Sequence, residues 1–485
     1  MPMRKIKLIA LAAALSITVC ATAGGVGTFS GGTGTEADPY LITKVADLVE
    51  IQNYLHSAQT SYEGCYFKVA NDITFNGETG LKTGLSSLPF MGNFDGNGKK
   101  FYGVCDTVAD NVNTFAVFSY LGSKGVVKNL TIAYPSLYAQ GTLLYSSFLV
   151  TNNQGVVENC HVTNATMYLS NAKQNNLNAG LVAYNLGSVK NCSFSGKVYS
   201  GCAFGAITGS TQGGMVDSCT SSVNITITRA NTYTGGITSY ANNQSNASYN
   251  IKDCTFTGYI HIANANVTNT YVGGISGYNS GAIITACSNQ GKIVALNHVG
   301  GIAGIANAGT TITNCYNSGL ISDIFMDHDS TSVTYAMLSN QGGIVGYGMK
   351  GTVEQCFNTG TIRSFKAAGG IAGAAEDFAI GNSYNAGAID APYLSTSGST
   401  YMQYAGGIVG NQSSAQYVTK LTNCLSLGTI NAASAARSAQ SAYVGHYTSD
   451  ERISLTHCYY DSQVAGWGSD ETGRSRPARS PQARL

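Results

Sequence analysis

Two short phrases recur along most of this chain, and their repetition limits the folds open to it more than any other feature. The first phrase is Gly-Gly-Ile, and it begins at Gly235, Gly273, Gly300, Gly342, Gly369 and Gly406. The second has the form Cys-x-x-x-Gly-x-Ile, and its copies start at Cys254, Cys287, Cys315, Cys356 and Cys424, with Ser383 in place of the thiol in one copy. Such repetition predicts identical structural units that stack and bury a continuous core.

The residues between the phrases indicate that each unit is built from strands. Segments such as Gly351-Thr-Val353-Glu-Gln-Cys356 alternate apolar and polar residues with period two and are bounded by Gly and Asn, which is typical of short strands. The shortest units take 27 residues, as from Gly274 to Gly301, enough for three short strands. We therefore predict an all-β protein, a right-handed parallel β-helix (β-solenoid) with one unit per coil.

Stacked coils place equivalent side chains in rows, and the cysteines are the clearest example. The predicted row comprises Cys160, Cys192, Cys219, Cys254, Cys287, Cys315, Cys356, Cys424 and Cys458. We interpret these thiols as small buried fillers. Disulfides between neighbouring coils remain an alternative. Cys202 with Cys219 and Cys65 with Cys105 are the first pairs to test. No close Cys pair indicates a metal site.

These phrases resemble the GLUG repeat of bacterial cell-surface and secreted proteins, including adhesins and the repeat regions of IgA-protease-like polypeptides. The resemblance covers about residues 180–461. In addition, the segment 34–42 looks like the opening of such arrays, and the segment 94–99 looks like a second family turn. It implies a solenoid at the cell surface or outside the cell, and it is specific for the repeat rather than for an activity.

The first 62 residues predict an export signal followed by a cap. Residues 1–23 combine Arg4, Lys5 and Lys7 with an apolar run and an Ala-Thr-Ala end, as in a secretory signal peptide. A lipid anchor through Cys20 is the less favoured alternative. Residues 24–62 form the predicted capping segment, in which Thr43 is the N-cap of a short helix. Its buried face consists of Val45, Leu48, Val49 and Leu55.

Beyond this cap we assign residues 63–461 to the solenoid and 462–485 to a flexible tail. The chain carries 26 Lys+Arg against 25 Asp+Glu, which gives it no electrostatic basis for binding nucleic acid. After residue 23 no apolar run is long enough to span a bilayer. We therefore expect an extracellular partner, either a glycan or a protein.

Candidate site residues fall into two groups. Asp323, Asp327, His328 and Asp329 lie in a long insertion after Ile321, where they form a candidate cation site, with calcium as the ion, or an acid/base pair. The alternative interpretation is a solvated loop. The second group is aromatic, because Tyr combines apolar area with a hydrogen-bonding group, and it consists of Tyr233, Tyr240, Tyr278 and Tyr347. These rings can equally be a row that only stabilises the solenoid.

The sequence favours a binding or display protein of adhesin-like type over an enzyme. No H-E-x-x-H, G-x-S-x-G or P-loop motif is present. The alternative is a carbohydrate-active β-helix enzyme, a polysaccharide lyase or hydrolase, which needs neighbouring catalytic side chains on one face. Outside the insertion after Ile321 the sequence offers no such group.

Overall fold

The structure is a computed structural model, and it describes residues 28–58, 61–77, 81, 83–108, 114–139, 145–169, 177–230, 232–263, 267, 270–324, 339–391, 403–412, 414–432 and 438–461. Its strands pair in parallel throughout these residues and form four long sheets, two of them eleven-stranded. The predicted β-solenoid is confirmed. Asp327, His328 and Asp329 lie outside the described residues, as do the signal segment 1–23 and the tail 462–485.

From Asn93 onward each coil passes through the four sheets in a fixed order, except the last described coil, which reaches only sheets 1 and 2. Sheet 1 contains the strands Tyr40–Ile42, Tyr66–Val69, Asn93–Asp95, Val126–Lys128, Val156–Glu158, Ser188–Lys190, Met215–Asp217, Ile251–Lys252, Ile283–Thr285, Thr311–Thr313, Thr352–Glu354, Ala379–Gly381, Thr419–Thr422 and Ile453–Thr456. Sheet 2 receives two strands from most coils. Its strands are Ile73–Thr74, Lys100–Tyr102, Cys105–Val108, Thr131–Ala133, Ser136–Ala139, His161–Leu169, Ser193–Ser200, Thr220–Ser221, Asn224–Ile227, Thr255–Phe256, Tyr259–Ile262, Ser288–Asn289, Lys292–Val294, Tyr316–Asn317, Ile321–Ser322, Phe357–Asn358, Ile362–Arg363, Tyr384–Asn385, Ile389–Ala391, Leu425–Ser426, Ile430–Ala432 and Tyr459–Tyr460.

The chain then enters sheets 3 and 4, which lie on either side of the Gly-Gly-Ile phrase. Sheet 3 contains Thr114–Phe115, Tyr145–Ser146, Leu177–Ala179, Phe204–Gly205, Tyr233–Gly235, Tyr271–Gly273, His298–Gly300, Asn340–Gly342, Ala367–Gly369, Gln403–Gly406 and Ser438–Ser441. Sheet 4 contains Phe118–Leu121, Val150–Asn153, Val182–Asn185, Thr208–Gln212, Thr238–Asn242, Ser276–Ser280, Ala303–Asn307, Val345–Met349, Ala372–Glu376, Val409–Gln412 and Val444–Tyr447. A coil therefore contributes to four sheets, and the prediction of three strands per coil was too low.

The corner between sheets 1 and 2 explains the Asn-Cys pair. The residue before each Cys of the row, or before Ser383, has a left-handed backbone conformation, with φ of 55° at Asn314 and 46° at Asn382. Asn tolerates this conformation better than most residues. The next side chain points inward, where Cys315 Sγ accepts from the Cys287 backbone N–H at 3.4 Å. At the exceptional rung the Ser383 hydroxyl accepts the equivalent bond at 3.1 Å, so this position needs a small acceptor.

A second inward row is made of Asn289, Asn317, Asn358 and Asn385, which we call the amide ladder. The side-chain NH₂ groups of the first three donate to the amide oxygen one coil further on, at 2.6 to 2.7 Å. All four residues are fully buried. Because a buried amide without partners costs free energy, the ladder holds neighbouring coils in one register.

The glycine pair is required by close packing against this ladder. A Cβ built on Gly274 would lie 2.3 Å from the Gly301 carbonyl oxygen and 2.7 Å from Cγ of Asn289. Gly273 and Gly274 are not among the glycines with positive φ. The Gly-Gly-Ile corner therefore points into the core, and its glycines are needed for space rather than for a turn conformation.

One α-helix, Val45–Ala58, lies at the start of the stack. Val45, Leu48 and Leu55 are buried as predicted, but Val49 is 37% exposed and Ile51 is buried in its place. Ile51 lies three residues after Leu48 and four before Leu55, which completes an apolar stripe that excludes Val49.

The start of this helix also differs from the prediction. Thr43 does not accept a hydrogen bond from the helix. Instead, the Asp47 carboxylate accepts from the backbone N–H groups of Thr43 and Lys44, at 2.8 and 3.3 Å, like the acidic half of a capping box. Sheet 1 begins with Tyr40–Ile42, so it extends into the predicted cap segment.

Candidate functional site

The structure places the nine cysteines of the predicted row at the same buried corner in successive coils. All nine are free thiols, and so are Cys202 and Cys105. Cys65 is disulfide-bonded, but not to Cys105, and neither suggested pair is formed. Burial raises the pKa of the Cys254 and Cys287 thiols well above the ordinary range, which keeps them protonated and unreactive.

Asp323 has a structural environment that the sequence did not reveal. Its side chain is fully buried, so it belongs neither to a solvated loop nor to an open acidic cluster. Its carboxylate accepts hydrogen bonds from the Phe365 backbone N–H and, at 3.5 Å, from the Ser339 hydroxyl. Within the part of the chain that the structure describes, no group of three or more metal-ligating side chains converges. The calcium site remains a prediction.

Three of the four predicted tyrosines, Tyr233, Tyr240 and Tyr278, come together on the outer side of sheets 3 and 4, and Tyr347 lies two rungs beyond Tyr278 in sheet 4. Tyr233 lies 5.0 Å from Tyr278, ring centroid to ring centroid, although the two belong to different sheets. Tyr240 stacks on Tyr278 at 5.6 Å. Outward side chains of two sheets can touch only if the angle between the sheets opens outward. Sheets 3 and 4 therefore form a concave corner along the solenoid.

Residues at equivalent positions of the repeat form the floor and the rim of this corner. At the floor, a Cβ on Gly277 would lie 2.7 Å from the Thr234 backbone nitrogen, so only glycine lets the strands approach this closely. At the rim, paired positions carry a series of outward rings that we call the aromatic row. Its members are Tyr233, Tyr240, Tyr271, Tyr278, His298, Tyr347, Tyr404 and His446.

The aromatic row is interrupted at one coil. In sheet 4 the rung after Tyr347 holds Ala374, and in sheet 3 the rung before Tyr404 holds Ala367. The missing rings leave a cleft of about 390 Å³, which we call the corner cleft. That volume lies at the small end of the range for ligand sites, about 300 to 1,000 Å³.

Aromatic pairs border the corner cleft on both sides along the solenoid axis. On the side of the earlier coils, His298 stacks on Tyr347 with centroids 5.0 Å apart. On the other side, Tyr404 stacks on His446 at 4.3 Å. The remaining lining is polar apart from Ala374, and it comprises Asn340, Lys366, Glu376 and Asn411.

The polar lining groups are held in place. The Asn340 amide nitrogen lies 3.0 Å from Nδ1 of His298, and the Asn411 amide oxygen lies 3.0 Å from Nδ1 of His446. Burial lowers the pKa of His298 to about 4 and also lowers the pKa of His446. Both imidazoles are therefore neutral at pH 7.

The surroundings of the cleft also shift the pKa values of two other lining side chains, Tyr347 and Lys366. Burial raises the pKa of the Tyr347 hydroxyl to about 12, with a contribution from the Glu376 carboxylate. Burial lowers the pKa of Lys366. Asp323 supports this wall from behind, because it binds the Ser339 hydroxyl and the Phe365 backbone N–H. These two residues directly precede Asn340 and Lys366.

Sequence reasoning found Tyr347 but missed the other residues of the corner cleft. The signal was available in the segment around Gly369-Gly370-Ile371, where Ala367 and Ala374 occupy positions that carry a ring in several other repeats. An alignment that compares the outward-facing residues of each repeat, rather than the Gly-Gly-Ile and Cys-x-x-x-Gly-x-Ile phrases, shows where the aromatic row is interrupted.

Comparisons with known proteins give limited likenesses. No family model matches the chain, so the GLUG resemblance remains a prediction from the residues. A protein of Evansella cellulosilytica described as a "Putative Gly-rich membrane protein" is 31% identical over 140 residues, which is 28% of this chain and only 15% of that protein. In the part of this chain that the structure describes, no helix has the length and apolar character needed to cross a membrane.

Among solved structures, the chain is similar to a protein of Bacteroides ovatus titled a "putative immunoglobulin A1 protease". The alignment covers 90% of this chain and 79% of that chain, at 16% identity and a TM-score of 0.24.

Proposed function

We propose that this chain is a secreted or cell-surface β-solenoid of adhesin-like type that binds a glycan in the corner cleft. The observation that carries the proposal is the interruption of the aromatic row at Ala374, which leaves Tyr347 and Tyr404 on either side of an open space. Aromatic rings bind the apolar faces of sugars, and amides such as Asn340 bind their hydroxyl groups.

The chemistry of the lining supports binding rather than cleavage. Glycoside hydrolysis generally uses two carboxyl groups about 5 to 10 Å apart. Glu376 is the one carboxylate among the described residues that line the corner cleft. A binding protein needs no such pair, and neutral imidazoles, amides and rings are sufficient for recognition.

The proposal is tested by screening the full chain against an array of neutral and acidic glycans and titrating the best ligand by calorimetry. Ala374→Tyr continues the aromatic row and should abolish binding. Tyr404→Ala removes one wall and should weaken binding about tenfold, the upper end of what an aromatic contact contributes. Tyr138→Ala is the control, because Tyr138 stacks on Tyr168 in sheet 2, away from the corner.

Binding that is lost in Ala374→Tyr and retained in Tyr138→Ala supports the proposal. Failure of every glycan to bind, or equal binding by the wild type and Ala374→Tyr, rejects it.

A further inference from the structure

We infer that the corner cleft admits a single neutral hexopyranose ring, inserted edge-on between Tyr347 and Tyr404, and so recognises the end or a branch of a glycan rather than a chain lying along the solenoid. This inference rests on the proposed function and specifies its ligand.

The rung spacing sets the thickness of the ligand. Tyr347 and Asn340 share a coil, the next coil carries Ala374, and the one after carries Tyr404 with Asn411. Two rungs of paired strands span about 9.6 Å. Favourable contact requires about 3.5 to 4 Å between carbon atoms on each side, so the two contacts use most of that distance. One saturated ring fits between the walls and two do not.

The neighbouring coils prevent a long chain from following the corner. His298 stacks on both Tyr271 and Tyr347, with centroids 5.5 and 5.0 Å apart. Beyond the opposite wall, Tyr404 and His446 are in contact. These rings fill the concave corner on both sides of the cleft, so a sugar bound there has no continuous channel along the axis for its neighbours.

The balance of charge favours a neutral sugar. Lys366 contributes one positive charge and Glu376 one negative charge to the lining, and the two imidazoles are neutral at pH 7. An anionic substituent would therefore gain no net attraction. Asn340 and Asn411 instead offer amide groups on the two sides of the Ala374 rung, a spacing suited to hydroxyl groups at two edges of one ring.

The test is a length series of a neutral sugar, measured by calorimetric titration of the full chain. The probes are methyl glucoside, methyl galactoside and methyl mannoside, linear oligosaccharides of two to six residues of whichever sugar binds, and the methyl glycoside of the corresponding uronic acid. Tyr240→Ala is the matched variant, because Tyr240 belongs to the aromatic row but lies outside the cleft.

We expect the methyl glycoside to bind on its own and the hexasaccharide to bind within about threefold of it, a difference of less than 1 kcal/mol. The uronide should bind no more tightly than the neutral glycoside, and Tyr240→Ala should leave every affinity unchanged.

Three outcomes contradict the inference, and they differ in what else they affect. An affinity that rises more than about tenfold with length, together with a loss in Tyr240→Ala, overturns the single-ring inference and leaves glycan binding intact. A uronide that binds tenfold more tightly than the neutral glycoside overturns the preference for a neutral ring. If neither these probes nor any array glycan binds, the proposed function fails as well.

Discussion

The coils before residue 231 and those after it share one backbone path but are held together by different interactions. In the first region the core contains rings in mutual contact, with Phe90 5.7 Å from Phe67 and 5.3 Å from Phe118. In the second region the amide ladder occupies the core from Asn289 to Asn385. Ring contacts tolerate many arrangements, whereas an amide ladder works only if each rung supplies the same group.

The outer face of sheet 1 shows the same contrast. One outward row begins in the first region and ends at Lys252, in the first coil of the second. It alternates strictly in charge through paired positions, in the order Lys68, Asp95, Lys128, Glu158, Lys190, Asp217 and Lys252. The next rungs of that row are Thr285 and Thr313. Register is thus favoured in the first region mainly by opposite charges outside, with one buried amide bond between coils, from Asn153 to Asn185. In the second region it is favoured by the amide ladder inside.

This difference explains why the repeat is easy to recognise in the sequence of the later coils and hard to recognise in that of the earlier coils. An amide ladder requires identical residues at each rung, so the phrases around Asn317 and Asn358 recur almost unchanged. Charge alternation requires opposite residues, and phenylalanine packing requires only volume, so the earlier coils show weak copies. Closely repeated sequence therefore indicates the coils that are joined to each other by buried polar side chains.

The largest expected effect is in the amide ladder. Asn358→Leu should lower the free energy of unfolding by about 3 kcal/mol, because it removes the buried hydrogen bonds of Asn358 to Asn317, Asn385 and the Gly360 backbone. Phe118→Leu in the first region should cost about 1 kcal/mol, since apolar substitutions of similar size are tolerated. Urea unfolding followed by circular dichroism compares the two. Equal losses would mean that the two regions do not differ in this way.

A comparable effect concerns pH. Burial lowers the pKa of His298 from 6.5 to about 4, so the unfolded chain takes up a proton in this interval and the folded chain does not. The stability due to neutral His298 is present above pH 6.5 and is lost as the pH falls from 6.5 to 4, by about 3 kcal/mol.

The control for this effect is His298→Asn, the residue that the next rung carries at Asn340. Urea midpoints measured between pH 7 and pH 4 should fall less steeply in this variant than in the wild type. His161 of the first region is half-buried and its pKa is also lowered, so His161→Asn should change the profile less. Parallel profiles for the wild type and His298→Asn would contradict the expected role of burial.

The smallest effect tests the charge row at its end. Thr285 is paired with Lys252, so Thr285→Glu extends the alternation and Thr285→Lys breaks it. Both variants lose the same hydroxyl contact with Thr313 and are therefore matched. We expect Thr285→Glu to be the more stable by about 0.5 kcal/mol at low salt. Thermal unfolding in 1 M NaCl should abolish the difference, and a difference that persists there would not be electrostatic.

The solenoid, the cysteine row and most of the helix face could be predicted from the residues, because each depends on periodicity along the chain. The concave corner could not, since it depends on how four sheets meet around one coil. The corner cleft was missed for a related reason. The cleft exists because Ala367 and Ala374 stand where several other repeats carry an aromatic ring. An alignment that looks only for residues shared by the repeats does not reveal a site that is formed by missing rings.

The environment of Asp323 could not be predicted either. As an acidic residue in an insertion it is a candidate ligand, but in the structure it is buried and binds the Ser339 hydroxyl and the Phe365 backbone N–H on two neighbouring coils, so it supports the cleft wall. Burial of a single carboxylate depends on the whole fold, and sequence pattern does not reveal it.

The most direct test of the central claim is a crystal structure of the full chain soaked with the methyl hexopyranoside that binds best in solution. We expect one sugar ring between Tyr347 and Tyr404, with its hydroxyl groups within hydrogen-bonding distance of Asn340 or Asn411. A ring found instead on the exposed stack of Tyr138 and Tyr168, with the corner cleft empty, would contradict the claim.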